Sequence, residues 1–325
     1  MTTRGAGIAV AVFCVGISAG RAQSPTGALL LPSVERPPAA LFVAATDIAT
    51  PFPGELKLNG IASLIAEAAG PSAEGRIRNL TGRLMTLRND PRFPTVIVIG
   101  SGATARDAAI AARVARADGF VAMSPAPDAA ADIARLVVDV FKVADATAVK
   151  EIADFARGVS PLGRRGTRER RPDTPRRSPR TLALGTVGGS LVGIEYGQPQ
   201  KRGREIWGAL VPWNREWMPG ADEATTLTTN VAMRIGDVSL PPGDYTFYLE
   251  PREDRVQLLV SKDVGQFHTV FDSSLVLGRV DMAMQKRPQP VEGLTFAIEP
   301  HGDGATLKLI WDDREYSATI AVVKQ

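Results

Sequence analysis

Twenty-four residues from Arg157 to Arg180, RGVSPLGRRGTRERRPDTPRRSPR, hold nine arginines, four prolines and no aromatic residue. A stretch so poor in apolar side chains cannot bury enough surface to offset the conformational entropy of ordering it. It is therefore read as a flexible linker, and no single core can run through it. Aromatic usage changes at the same place. All four tryptophans (Trp207, Trp213, Trp217, Trp311), all four tyrosines and both histidines, His268 and His301, follow the segment, whereas the part before it is rich in alanine. The chain is thus expected to join two chemically different modules, each long enough for its own core.

The segment also decides how charge is read. The 325 residues carry +3 overall; +7 sits in the segment and +2 in the first 22 residues, leaving −6 for everything else. The basic balance belongs to one short stretch, and a nucleic-acid partner is not expected. The stretch itself suits weak contact with anionic lipid headgroups or envelope polymers.

At the N-terminus, Arg4 precedes an apolar run from Ala6 to Ala19, and Gly20 and Ala22 take the small-residue places of a cleavage site. Residues 1–22 are expected to be a signal peptide, with a mature chain from about Gln23 that is periplasmic or secreted. The run is short and glycine-interrupted for a membrane span. Cys14, the single cysteine, lies within it behind Phe13, which argues against lipidation and leaves the mature protein without thiol chemistry.

The first module, residues 39–156, alternates continuous apolar runs with helical patterns. LFVAA, TVIVIG and GFVAMS are expected strands; Leu56 to Ala69, Ile77 to Arg88, Ala103 to Ala117 and Ala129 to Val140 are expected helices. Runs of that kind imply a parallel sheet covered on both faces. The second module, residues 181–325, reads in period two: Tyr245, Phe247 and Leu249; Val280, Met282 and Met284; Leu307, Leu309 and Trp311. Turn signals at Pro242–Asp244, Glu253–Asp254, His301–Gly304 and Asp312–Asp313 divide these runs into antiparallel hairpins of a sandwich or barrel. The fold class is accordingly α+β with two domains: an α/β layered module with a parallel sheet, then an all-β antiparallel domain.

TVIVIGSGATARDAAIAARVARADGFVAMSP is a strand, a glycine turn, a helix and a second strand. Gly100, Gly102 and Ala105 fit G-x-G-x-x-A, but the acidic residue expected at the end of the next strand is missing, so no dinucleotide cofactor is expected. With the preceding helix and Asp90-Pro91, the same stretch resembles the dienelactone-hydrolase-like branch of the α/β-hydrolases over roughly a hundred residues. In that resemblance the nucleophile elbow G-x-S-x-G falls on Gly100-Ser101-Gly102-Ala103-Thr104, with Gly102 where the serine belongs and Ser101 one residue early. The module holds no histidine, and a flexible tether would not hold His268 or His301 against Ser101. The elbow (Gly100, Ser101, Gly102) is read as degenerate, with no catalytic residue assigned.

In the second module, Glu195-Tyr196-Gly197-Gln198-Pro199, Gly203-Arg204, Gly208 to Pro212, Trp217, Gly220 to Thr225, Leu240 to Tyr245 and Ser261-Lys262 together resemble the domain-of-unknown-function family DUF2911. The resemblance spans Tyr196 to Val322 and implies an exported β-rich domain without an assigned activity. From the residues themselves, the region Gly203 to Thr225 gathers Trp207, Trp213 and Trp217 with Arg204, Arg215, Asp222 and Glu223. Aromatic faces beside charges suit a carbohydrate or peptide groove; equally, the tryptophans suit core plugs under loops, with Glu223 and Arg204 paired to tie the loops together. Arg204, Trp213, Trp217, Asp222, Glu223 and Lys262 are the candidate ligand contacts. Two histidines thirty-three positions apart and acidic pairs in turns lack zinc-ligand spacing, and no metal is expected. The expected function is non-catalytic ligand binding or envelope structure; the alternative is a hydrolase with its site in the tryptophan-rich region.

Overall fold

The structure, a computed structural model, describes residues 29–44, 52–125, 129, 133, 141–145, 147–159 and 175–323. The expected signal peptide, Cys14, most of the helix expected over 129–140 and residues 160–174 of the linker lie outside the described residues.

The first module is a six-stranded sheet. Its strands are β1 (Leu29–Leu30), β2 (Ala39–Ala44), β3 (Ala62–Glu67), β4 (Val96–Ser101), β5 (Gly119–Met123) and β6 (Phe141–Ala144), in the order β1-β3-β2-β4-β5-β6. All neighbours pair parallel except β1, which runs antiparallel to β3. Because side chains alternate across a strand, the continuous apolar runs feed two cores. Leu41, Val43, Val96 and Val98 pack under α2 (Ala73–Asn89) and α3 (Ala105–Val114). Ala40, Phe42, Ile97 and Ile99 pack under α1 (Phe52–Leu58) and α4 (Val149–Gly158). Helix α2 starts at Ser72, whose hydroxyl accepts from the Gly75 N–H.

The helix expected over Leu56 to Ala69 is corrected: α1 ends at Leu58 and residues 62–67 are strand β3. An Asn59-Gly60 turn with Gly60 at φ +80° breaks the helix. Ile61, Ala62, Ile65 and Ala66 then bury on both faces of the sheet, so a run with helical spacing is extended by its tertiary position. At the ends of the expected linker, Arg157 and Gly158 belong to α4, and residues 175–179 lead into the strand that begins at Arg180.

The second module is one nine-stranded antiparallel sheet in the order β11-β10-β15-β14-β13-β12-β9-β8-β7. These are β7 (Arg180–Val187), β8 (Ser190–Gly197), β9 (Thr226–Thr229), β10 (Met233–Ile235), β11 (Val238–Leu240), β12 (Gly243–Pro251), β13 (Val256–Ser261), β14 (Val276–His301) and β15 (Gly304–Val322). The sheet folds over so that its interior gathers Val187, Ile194, Phe247, Leu258, Phe296, Leu309 and Trp311. Register shifts at Lys286/Val291 and Val291/Thr295 mark where the long β14–β15 hairpin becomes irregular. Asp312–Asp313 sits there, inside β15 and not in a turn, with Asp312 at φ +53° and in contact with the Lys201 ammonium. The turn expected at that pair is thus corrected to an irregularity within a strand, and among the described residues no α-helix follows α4. Tyr245 returns its hydroxyl to the Pro241 carbonyl at 2.7 Å, closing the corner into β12.

Period-two burial holds on one side of β12 only in part, because Thr246 and Tyr248 are buried as well. The loops 198–225 and 262–275 cover that face, where Met218, Ala224, Tyr248 and Leu259 form a small core of their own. Met284, expected inside, is exposed.

The two modules pack together, which the flexible-tether reading did not anticipate. Leu182 and Leu191 of the β-domain join the core under α2 and α3. Asn89 and the Arg180 backbone exchange two hydrogen bonds, at 2.7 and 2.9 Å. Around them lies a buried ionic cluster. Glu195 meets Arg88 at 3.0 Å, Arg180 at 3.1 Å and Arg116 at 3.7 Å, and Asp244 meets Arg113 at 2.8 Å and Arg116 at 3.0 Å. Burial alone pushes the Glu195 carboxyl up, but the guanidiniums of Arg180 and Arg88 overcome it and hold the group below the usual range. Asp244 is lowered in the same way by Arg116 and Arg113 against its own burial.

Candidate functional site

Strand β4 delivers the elbow. Gly100 lies where α3 crosses the strand: a Cβ there would come within 2.8 Å of the Ala108 Cβ and 2.9 Å of the Ala105 Cα. Ser101 is extended (φ −120°, ψ 145°) and fully buried, and its hydroxyl donates to the Val43 carbonyl at 3.1 Å. The positive φ of the bend, +50°, falls on Gly102. The histidines lie in the β-domain: His301 is exposed at the β14–β15 hairpin end, and His268 follows β13 in a loop, with its Nδ1 3.2 Å from the Asp222 carbonyl.

In the β-domain a cleft of about 400 Å³ opens between the 198–225 loop and the residues leading into β7. Arg177, Arg202 and Arg204 line it together with Trp217, Trp311 and His268, and no aspartate or glutamate is among its lining residues. The turn at Lys201–Arg204 places two of these arginines. Arg202 and Gly203 both have positive φ (+51° and +71°), and the Arg204 N–H closes the turn on the Lys201 carbonyl at 3.0 Å. The side chains are then held by main-chain oxygens. Arg202 donates to the Arg177 carbonyl at 3.0 Å; Arg204 donates to the Lys201 carbonyl at 3.0 Å and the Gln200 carbonyl at 2.5 Å. Trp217 stacks on the buried Trp311, ring centres 5.9 Å apart and planes 16° off parallel. The Trp311 indole N–H is itself tied to the Glu292 carbonyl at 3.1 Å.

Among the candidate contacts, the cleft gathers Arg204 and Trp217 and leaves out Trp213, Asp222, Glu223 and Lys262. Trp213 stacks on Trp207 at 6.4 Å, with the Arg314 guanidinium 5.0 Å from its ring. Trp207 is buried and donates to the Trp311 carbonyl. Trp207 and Trp213 therefore act as plugs. Glu223 is buried and takes a two-pronged contact from Arg176, at 2.7 and 2.5 Å. Arg180 stands 3.7 Å away. The expected Glu223–Arg204 pair is thus replaced by Glu223–Arg176, because residues 175–180 run past Glu223 while Arg204 turns to carbonyls. Burial pushes the Glu223 carboxyl up, yet Arg180 and Arg176 bring it down to about 2. Asp222, in a left-handed conformation at φ +64°, keeps its carboxylate 3.5 Å from Arg176 and half exposed. Lys262 is exposed and bonds through its backbone N–H to the Leu275 carbonyl.

Arg177, Arg202 and His268 were not among the candidates. Arg177 was hidden in the linker reading, and His268 comes from a loop sixty-four positions beyond Arg204. Among the described residues no group of three or more His, Cys, Asp or Glu side chains is placed to hold a metal ion, and no helix is long and apolar enough to cross a membrane.

Residues 178–320, nearly the whole β-domain including most of the cleft, match the family model described as "Protein of unknown function (DUF2911)". No curated protein matches the chain.

Proposed function

We propose that this is an exported, non-catalytic binding protein whose ligand sits in the β-domain cleft, stacked on Trp217 and held by the surrounding polar groups, with the α/β module as a docked scaffold. The observation that carries the reading is the cleft itself. A rigid aromatic pair stands beside cationic side chains pre-positioned by backbone carbonyls, in a volume within the range of about 300 to 1,000 Å³ typical of small-ligand sites. The α/β module is read as a hydrolase-like fold that has lost its nucleophile. Its sheet order with an antiparallel first strand suits that ancestry, and both hydroxyls of the elbow are spent on main-chain carbonyls, Ser101 on Val43 and Thr104 on Ser101 and Val43.

The test is titration of the full chain with a panel of oligosaccharides and short peptides, followed by tryptophan fluorescence in the native sequence and in Trp217→Phe. A saturable change that the substitution abolishes supports the reading. No saturable change with any member refutes it.

One observation favours a hydrolase as the second reading: Ser178 and His268, a hydroxyl and an imidazole of the kind a nucleophile and its base would need, line the same cleft. Fluorophosphonate labelling that maps to Ser178 would replace the binder with an enzyme; an unlabelled protein removes this alternative.

A further inference from the structure

The cleft's charge narrows the class of ligand. Its lining carries three guanidiniums and no carboxylate. Two of the three, Arg202 and Arg204, are anchored only by neutral carbonyl oxygens, so their positions are fixed while their charge is not compensated. The carboxylates nearby are engaged elsewhere. Glu223 is taken by Arg176 and Arg180, Asp222 lies 3.5 Å from Arg176, and Glu292 accepts the backbone N–H of Arg202 at 2.8 Å. Among the described residues none of the three cleft arginines makes an ion pair within 4.0 Å.

Guanidiniums without a carboxylate partner beside a flat aromatic face have a definite complement. The N–H groups not spent on carbonyls match the oxygens of a carboxylate, phosphate or sulfate. The Trp217 face, braced from behind by Trp311, matches the flat apolar side of a rigid ring. Resting on the reading that this cleft is the ligand seat, we infer that its ligand is a saccharide bearing an anionic group, with the sugar ring against Trp217 and the anion between Arg202, Arg204 and Arg177. Arg202, a non-glycine residue held at φ +51°, is the backbone outlier that turns the cationic loop toward the cleft.

The experiment titrates the full chain calorimetrically with matched ligands: uronic-acid, sulfated and phosphorylated saccharides, their neutral counterparts, and acidic peptides. An anionic saccharide is expected to bind at least about tenfold more tightly than its neutral counterpart, with affinity falling as salt rises. The arm that binds identifies the anion. Arg202→Gln and Arg204→Gln are each expected to weaken binding about tenfold, whereas Arg83→Gln on the surface of α2 leaves it unchanged. Equal binding of neutral saccharides, preference for acidic peptides, or indifference to both arginine substitutions overturns the anionic-saccharide assignment and leaves the cleft as a binding site. Silence from every ligand overturns both.

Discussion

Replacing Glu195 by glutamine would test what holds the modules together. The side chain is 1 % exposed and faces three guanidiniums at 3.0, 3.1 and 3.7 Å, two from the α/β module (Arg88, Arg116) and one from the β-domain (Arg180). At an effective dielectric of about 20, a charge contact near 3 Å is worth roughly 5 kcal/mol before desolvation is counted. Glutamine keeps the shape but removes the charge and turns an amide N–H₂ toward the cations. Breaking a buried pair of this kind costs about 3 to 5 kcal/mol, because the charges left behind stay buried. The exposed Glu74–Arg78 pair on α2, each side chain 44 % exposed, is the contrast, and Glu74→Gln should cost under about 0.5 kcal/mol. The assay is urea unfolding with two probes. All four tryptophans report the β-domain, and every α-helix among the described residues lies in the first module, so ellipticity at the helix band reports that module. The native sequence should give coincident curves; Glu195→Gln should lower both midpoints and draw the curves apart. A loss below about 1 kcal/mol with curves still superimposed would refute the idea that this cluster couples the modules.

Two further perturbations follow from the same geometry. The Glu223 carboxyl, lowered to about 2 from an ordinary 4.5, contributes stability that is complete above pH 4.5 and is lost as pH falls toward 2, on the order of 3 kcal/mol. Urea midpoints measured from pH 7 to pH 2 should therefore fall less steeply below pH 4.5 in Glu223→Gln than in the native protein, from a lower value at pH 7, and identical slopes would contradict the Arg176 and Arg180 pairing. Gly100→Ala puts a methyl 2.8 Å from the Ala108 Cβ and should cost about 1 to 3 kcal/mol. Gly82→Ala, in open space on α2, should instead stabilise by roughly 0.5 to 1 kcal/mol. Thermal melts in which the two alanines behave alike would contradict the close crossing of α3 over β4.

The layering of the first module was legible because continuous apolar runs such as TVIVIG have few other uses, and the antiparallel character of the second because Leu307, Leu309 and Trp311 alternate with more polar neighbours. What escaped was set by partners distant in sequence. Residues 62–67 carry spacing that a helix also satisfies, and only the presence of β2 on one side and β1 on the other makes them a strand. Tyr248 and Thr246 stand on what period two marks as the outer face of β12; the loops 198–225 and 262–275 fold over that face and bury it.

The basic segment shows most clearly why the site was only partly readable. Averaged along the sequence, its charge is that of a solvated tether, and nothing local separates one arginine from the next. In three dimensions the last few divide by the carboxylates that meet them. Arg180 is buried against Glu195, with Glu223 3.7 Å away, and Arg176 is held by Glu223. Those two become structural, and they draw residues 175–180 along the edge of the β-domain. Arg177, between them, meets no acid among the described residues and lines the cleft beside Arg202 and Arg204. Glu223 thereby serves the site indirectly, since by neutralising Arg176 it fixes the backbone whose carbonyl at Arg177 receives Arg202.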